Sequence, residues 1–521
     1  MPNVKYSAVE NLIFSLTKSE KRFFKLFAGR IKGNEDSRFI RMFDHIDKRH
    51  GLDDEFFLKR NPDVKPSQLS NLKAHLYKQL LQSLRVLNTD DDLDLSIRSI
   101  IDYCTVLYNK CLYNEAIKKL RKAKKLAQKG DKTILLLQIL EMEKKLALKL
   151  IRADFDKQIT QLGRESENIQ NHIGKVYQFS NLFNQIYAHY VSKGFIRNRE
   201  EYQTIKTLFD DNLPAYDIET LSSDEKMYLF STLVSYYYFL QDYQKGLRFS
   251  LEWVRLFEEA PHYILSKIEM YIRGLNNMAR GHYKLKKYDL FNDSVNRLGA
   301  IQDIKGLKLT DNLRLQLFKY LATHKLNRYF LEGRFESGTE EIPFIVNELE
   351  QHKKVMDLHH VMVFYYKFAC MHFGASQYQE AVYWLGKIIN HRDFDFRADI
   401  QGFARILNLI SHFELENTDL VEYYIRSTYR FLIKKEDVNL YQKHILRFLR
   451  NLPPEGDGQL QEAFGNLLDK LKELRKIPYE GRAFTYFDII SWLESKIQNR
   501  KVSEVIREKA LKTLAESTNN G

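Results

Sequence analysis

A turn followed by a new amphipathic helix recurs along most of this chain and constrains its fold more than any other feature. The clearest copy is Gly374 to Ile388, GASQYQEAVYWLGKI, in which a glycine and a polar turn precede an aromatic residue that opens a helix. Comparable openings lie at Tyr113, Phe155, Tyr202, Tyr243, Tyr288, Phe335 and Tyr378, and an eighth turn lies at Asn417. Neighbouring turns are about 41 to 47 residues apart, which predicts an array of helical hairpins rather than separate globular domains.

Residue usage favours helix throughout the chain. Only 22 Gly and 9 Pro interrupt 521 residues, while good helix formers are abundant. We therefore predict an all-α fold: a right-handed α-solenoid of roughly eight antiparallel hairpins, with helices of roughly 15–22 residues. Three parts are expected, namely a basic helical module at 1–88, a solenoid at 93–435 and capping helices at 436–521.

The first 88 residues form a predicted helical module of their own. Thr17 and Glu20 are spaced as a capping box, so a helix should begin after Thr17 and stop near Gly29. Ser67 is expected to open a long helix that buries a leucine stripe and ends near Leu87. The acidic segment that follows breaks this pattern, and we place the module boundary there.

Several hairpins resemble the tetratricopeptide repeat. The residues that carry the resemblance are Tyr365, Phe368, Ala369, His372, Ser376, Tyr378 and Ala381 in one copy, Tyr103, Cys104, Tyr113, Ala116 and Ala123 in a second, and Tyr329, Gly333, Phe335 and Gly338 in a third. The resemblance implies close helix packing at the small residues. The period departs from the usual 34 residues, and the small residue is missing after Phe155 and Tyr202 and replaced by Phe291 after Tyr288.

No constellation in the sequence points to catalysis or to a cofactor. A P-loop and an HExxH motif are both absent, and His359 and His360 are adjacent on a predicted helix, so they cannot chelate one metal ion together. The three cysteines lack a CxxC pair and are expected to be reduced. We predict a protein that is not an enzyme and that has no catalytic residue, no metal site and no cofactor.

Aromatic residues crowd the predicted first helices, most densely at Tyr236 to Phe239 and Phe364 to Tyr366. In a hairpin solenoid these helices line the concave surface, where a protein or peptide partner could bind. Packing between long helices is the alternative explanation for the same residues. The candidate partner-binding residues are Tyr236, Tyr237, Arg273, Arg280, Lys325, Tyr365 and Lys367.

The N-terminal module has an excess of positive charge. Residues 1–88 hold 17 Lys and Arg against 10 Asp and Glu, about half of the net charge of +13. Cations on two helices could contact phosphates, although a solvated basic face is the alternative and no helix-turn-helix turn precedes the long helix. The candidate nucleic-acid contacts are Lys18, Arg22, Lys25, Lys73, Lys78 and Arg85.

Two functions follow from these observations. The first is a non-enzymatic interaction scaffold that presents a concave helical surface to a protein or peptide. The second is a nucleic-acid-linked regulator, with a basic N-terminal module and a ligand-sensing solenoid. The sequence shows neither a signal peptide nor an apolar run of membrane-spanning length, so we expect a cytoplasmic protein with no membrane partner.

Overall fold

The computed structural model describes residues 7–30, 38–49, 51, 53–151, 153–353, 355–391, 397–435, 439–452, 458–477 and 480–519. These residues form α-helices, a few short 3-10 helices and turns, and none of them lies in a β-strand. The all-α prediction is confirmed. Contacts divide the chain into two compact units, residues 1–173 and residues 174–521.

One hydrophobic core of the first unit lies in the N-terminal module, and separate clusters lie among the helices that follow it. The helices of this unit are α1 (Ala8–Ser15), α2 (Lys18–Gly29), α3 (Arg38–Arg49), α4 (Asp54–Arg60), α5 (Leu69–Asn88), α6 (Leu93–Asn109), α7 (Tyr113–Lys129) and α8 (Thr133–Ala147), and α9 (Phe155–Lys193) begins in it. Helices α1, α2 and α3 all pack on α5, which buries Leu76 and Leu80 against Phe24 and Phe43. The long leucine-striped helix is therefore the centre of the module, as its apolar periodicity requires.

The second unit is a succession of helices, most of which pack on their neighbours in the chain. They are α10 (Arg199–Asn212), α11 (Ser223–Phe239), α12 (Tyr243–Glu259), α13 (His262–Ser266), α14 (Ile268–Lys284), α15 (Tyr288–Gly299), α16 (Asp311–Glu332), α17 (Phe335–Glu340), α18 (Ile342–Gln351), α19 (Leu358–Gly374), α20 (Tyr378–Ile389), α21 (Ala398–Glu414), α22 (Thr418–Lys434), α23 (Leu440–Arg450), α24 (Gln459–Leu474), α25 (Ile489–Ile497) and α26 (Val502–Asn519). Helix α26 also packs on α16, far from it in the sequence.

Six helix–helix turns among the described residues share one backbone geometry. The second residue before the next helix has a φ of 53 to 63° in each, at Cys111, Asp131, Gln241, Lys286, Ser376 and Glu416. The amide of that residue donates to the carbonyl three residues back, and the next amide donates to the carbonyl five residues back. This pair of bonds is the Schellman motif, which satisfies the last carbonyls of the first helix before the second begins.

Small residues follow these turns where helices approach closely. Ala116, Gly246, Gly338 and Ala381 each lie three residues after the aromatic residue that opens its helix. Ala116 and Ala381 are fully buried, and a Cβ on Gly246 would lie 2.2 Å from the Tyr238 ring. The expected close packing at the small position is confirmed in these copies.

The predicted hairpin spacing is wrong between α8 and α11. Helix α9 continues for 39 residues, far beyond the expected 15–22, and Tyr202 lies inside α10 rather than at its start. Gly163 and Gly174 fall within α9 and do not end it, because neither has a terminating turn. Spacing alone cannot distinguish a continuous helix from two helices joined by a turn.

Three local details also differ from the sequence prediction. Helix α4 was not predicted. Helix α5 begins at Leu69 rather than Ser67, after a 3-10 turn at Pro66–Gln68. Gly374 is the last residue of α19, whereas Ser376 takes the left-handed conformation. A Cβ at Gly374 would lie 2.2 Å from the Phe335 ring, so the glycine is required by packing and not by backbone conformation.

The predicted capping box at the start of α2 is confirmed. The Thr17 amide donates to Glu20 Oε2 at 2.7 Å, and the Glu20 amide donates to Thr17 Oγ1 at 3.2 Å. Replacing Thr17 with alanine should lower the local stability of α2 by about 1 kcal/mol, because a helix-terminal donor loses its acceptor. Faster amide hydrogen exchange across residues 18–28 would measure the loss. Ser19→Ala, inside the same exposed first turn, is the matched control, and equal acceleration in both variants would contradict the capping role.

Candidate functional site

The six predicted nucleic-acid contacts lie on α2 and α5 of the first unit. Three of them pair with carboxylates: Lys25 with Asp44 at 2.6 Å, Lys73 with Asp54 at 2.9 Å, and Arg85 with Asp102. The other three, Lys18, Arg22 and Lys78, are exposed, and no ion pair is found for them within the described residues. Half of the predicted basic surface is thus neutralised locally, which reduces its field at a phosphate backbone.

An open depression of about 400 Å³ lies beside α2 in this region. Its lining includes Lys21, Arg22, Lys25 and Asp47. Lys21 Nζ lies 2.6 Å from Asp47 Oδ1, and Lys25 pairs with Asp44, so two of the three cations are already paired. The mixed charge of the lining favours neither a polyanion nor a polycation.

The tyrosine-rich run of α11 serves mainly as core. Tyr236 is buried and stacks on Phe209 with ring centroids 3.7 Å apart. Tyr237 is half-buried, and its ring stacks on Phe249 at 5.6 Å and lies 5.3 Å from Lys245 Nζ. Burial strongly raises the pKa of Tyr236, which keeps its hydroxyl protonated. Of the two, Tyr237 keeps the larger accessible surface for a partner.

Two further candidates occupy separate places. The Arg273 guanidinium lies 4.8 Å from the Phe183 ring, and Arg273 is half-buried on α14. Lys325 is half exposed on α16 and forms an ion pair with Glu341 at 2.7 Å. Neither contacts the tyrosines of α11 named above, so the structure does not assemble all seven predicted residues into one site.

Arg280 and Lys367, by contrast, belong to one cluster. Burial is the main cause that lowers the pKa of the Lys284 ammonium, and repulsion from Arg280 and Lys367 lowers it further. Burial likewise lowers the pKa of Lys367, with a further contribution from Arg280. Lys284 was not singled out from the sequence, although it follows Arg280 by four residues and so shares its face of α14. Tyr365, which neighbours Lys367 in sequence, instead packs on Trp384 at 5.3 Å.

A buried ion pair links distant segments of the second unit. Arg397 donates from Nε and Nη2 to the two Asp399 carboxylate oxygens at 2.8 Å each, and both side chains are at most 2 % exposed. Arg397 Nη1 also donates to the Tyr190 hydroxyl at 3.1 Å, and the Tyr486 hydroxyl donates to Asp399. The network joins the end of α9, the start of α21 and the segment before α25. No sequence motif indicated it.

The segment before α25 covers part of the surface expected to receive a partner. The Tyr486 ring stacks on Phe403 at 4.2 Å, and the Tyr486 carbonyl accepts a bond from Cys370 Sγ at 3.8 Å. Phe487 lies 5.0 Å from Phe373. Aromatic residues of α19 and α21 therefore pack on the protein's own chain, and only a partner that displaced this segment could use them.

Helix α22 carries four exposed large hydrophobic side chains, more than any other helix of the second unit in the part of the chain that the structure describes. Its buried residues Val421, Ile425, Thr428 and Leu432 repeat at helical spacing on one side. The opposite half holds exposed Leu420, Tyr423, Arg426, Tyr429, Arg430 and Ile433, with Tyr423 61 % and Ile433 53 % exposed. Exposed tyrosines interleaved with arginines are typical of protein interfaces. The sequence signal was visible in Tyr423, but the exposed half could be assigned only once the buried side was known.

Comparisons with known proteins do not place the chain in a family. No protein-family model matches the sequence, and no curated protein matches it. Among the described residues, no helix is both long enough and apolar enough to cross a bilayer. The functional argument therefore rests on the residues and contacts above.

Proposed function

We propose that this chain is a non-enzymatic interaction scaffold, built as an α-solenoid of tetratricopeptide-like hairpins, that binds a protein or peptide partner. The observation that carries the proposal is the repeated turn. One Schellman geometry recurs, and a helix opens two residues after it, with a small residue three positions after Tyr113, Tyr243 and Tyr378. A repeat of this kind extends surface rather than enclosing an active site. Repeats longer than 34 residues give each hairpin longer helices to pack.

We assign partner binding to the exposed half of α22, in addition to the half-buried Tyr237 and exposed Lys325. The α22 surface combines large apolar side chains with Arg426 and Arg430, and interface energy concentrates in such aromatic and arginine residues. The aromatic residues of α19 and α21 near Tyr486 and Phe487 are covered by the chain itself. The partner is thus expected to reach an outer helix face first.

Affinity purification of the full-length chain with quantitative mass spectrometry tests this assignment. The double variant Y423A/Y429A should recover at least about tenfold less of a partner that the unaltered chain captures, because two interface anchors are removed. The matched control is Y103A/Y383A, which removes two equally exposed tyrosines elsewhere. Equal recovery from both variants would reject the α22 surface, and failure to recover any specific partner would reject the scaffold function.

The nucleic-acid alternative has its own measurement. If the N-terminal module binds a duplex, the full chain should retain labelled DNA at low salt and lose it when Lys18, Arg22 and Lys78 become glutamine. The ion pairs of Lys25, Lys73 and Arg85 with carboxylates weigh against such binding, because they neutralise half of the predicted contacts. DNA retention that depends on Lys18, Arg22 and Lys78 would favour the nucleic-acid-linked regulator over the scaffold.

A further inference from the structure

Three cations on two helices that are not adjacent in sequence are connected by side-chain contacts inside the second unit. The Tyr238 and Tyr243 rings are 5.9 Å apart, and Lys367 is connected to Asn276 of α14 through hydrogen bonds with Asn327 and His324. Arg280 and Lys284 lie on α14, and Lys367 lies on α19. All three are half-buried. The Arg280 guanidinium lies 5.1 Å from the Tyr238 ring, and Lys284 Nζ lies 5.7 Å from the Tyr243 ring. The Tyr238 ring gives the Arg280 guanidinium a partly desolvated, uncharged neighbour.

Neither Arg280 nor Lys367 has an acidic partner among the described residues. Lys367 Nζ donates to the neutral amide oxygen of Asn327 at 2.6 Å and lies 5.3 Å from the Phe330 ring. Within the described residues, the contacts of Arg280 are with the Tyr238 ring and, at 5.8 Å, the Phe195 ring. Holding cations away from water without an opposing carboxylate is costly. A bound anion would offset that cost and use the donors that the protein leaves available.

The surrounding titratable groups leave the cluster positive near neutral pH. Burial raises the pKa of the Cys370 thiol to about 12 and, with repulsion from Lys367 and Arg280, lowers the pKa of His324 to about 3, so both are uncharged. Burial also strongly raises the pKa values of Tyr243 and Tyr283. The Asp488 carboxylate contributes to the raised pKa of Tyr283. It accepts hydrogen bonds from the backbone amide and the hydroxyl of Ser491.

The lysines respond to the same environment. Burial, with repulsion from Arg280 and Lys367, lowers the pKa of Lys284 to about 7. Burial chiefly, with repulsion from Arg280 and an opposing effect of Cys370, lowers the pKa of Lys367 to about 8. A bound dianion would raise both pKa values, because it favours the charged form of each ammonium.

We propose that Arg280, Lys284 and Lys367 form a binding site for a small ligand that carries a phosphate group. A site with up to three positive charges matches a dianion better than a single carboxylate. The guanidinium supplies a fork of N–H donors, and the two ammonium groups act as compact charges, which together suit the oxygens of a phosphate. This site is separate from the exposed face of α22, so either can fail without the other.

Isothermal titration calorimetry on the full chain tests the site. The probes are inorganic phosphate and phenyl phosphate, at an ionic strength held constant with chloride. The double variant R280Q/K367M should weaken binding of either probe at least about tenfold, since each lost charged donor removes a strong hydrogen bond. The control R248Q/K387M removes the same two charges from exposed positions. Equal affinity in both variants, or no binding to the unaltered chain, would overturn the proposal.

Two further arms sharpen the result. Tighter binding of phenyl phosphate than of inorganic phosphate would identify a phosphate ester as the ligand class, and the reverse would identify free phosphate. Sulfate stays a dianion between pH 6 and 9, so its affinity should fall about tenfold or more over that range as Lys284 and Lys367 lose their protons. A flat sulfate profile would contradict the assignment of the two lysines. Intrinsic tryptophan fluorescence checks that R280Q/K367M remains folded.

Discussion

Replacing Arg397 with methionine is expected to lower the free energy of unfolding of the second unit by about 3–5 kcal/mol. The substitution keeps much of the side-chain volume but removes the two bonds to Asp399, which is fully buried. Its carboxylate would then be a buried charge without its counter-ion. The bond from Arg397 to Tyr190 would be lost as well, which loosens the link between α9 and α21.

Urea unfolding followed by tryptophan fluorescence measures this effect selectively. All three tryptophans, Trp253, Trp384 and Trp492, lie in residues 174–521, so the signal reports on the second unit alone. The matched control is Arg426→Met, which breaks an ion pair with Glu422 that is about 70 % exposed and should cost less than about 1 kcal/mol.

A second variant separates charge from shape in the same network. R397M/D399L removes both charges and should recover part of the stability lost in R397M, because the uncompensated carboxylate is gone. Similar destabilisation by Arg397→Met and Arg426→Met would show that the buried pair contributes no more than a surface pair. A double variant less stable than R397M would attribute the effect to packing rather than to charge.

The helical hairpins could be predicted because their signals are local. An aromatic opening at Tyr113, Tyr243, Tyr288 or Tyr378 follows a turn whose hydrogen bonds involve only nearby residues. The same local character explains why the length of the helix that begins at Phe155 was predicted wrongly. That residue does open a helix, but the sequence between it and the next expected turn lacks a terminating geometry, so the helix continues.

The candidate sites were less predictable because they depend on tertiary contacts. Arg280 and Lys367 could be chosen for their residue types, yet their proximity to each other requires α14 and α19 both to pack on α16. The pairing of Arg397 with Asp399 is close in sequence, but its burial depends on Tyr190 and Tyr486, which are remote. Hydrophobic periodicity describes one helix at a time and carries no information on contacts between residues that are remote in the sequence.

The last prediction tests whether close packing at a glycine fixes the turn between α19 and α20. Gly374→Ala adds a methyl group that would lie 2.2 to 2.5 Å from three atoms of the Phe335 ring. Phe335 is 4 % exposed and packed in the core, so the ring cannot move away freely. Overpacking should therefore lower the free energy of unfolding by about 1–3 kcal/mol, in spite of the higher helix propensity of alanine.

Gly465→Ala makes the same chemical change on α24 with the opposite expected sign. No atom outside the local helix lies within 4 Å of the added methyl group, so the variant should gain up to about 1 kcal/mol from helix propensity. Tryptophan fluorescence during urea unfolding compares the two directly, since both positions belong to the second unit. If Gly374→Ala also stabilised the unit, the close approach of Phe335 would not be the reason for a glycine at this position. The packing explanation of the turn between α19 and α20 would then be refuted.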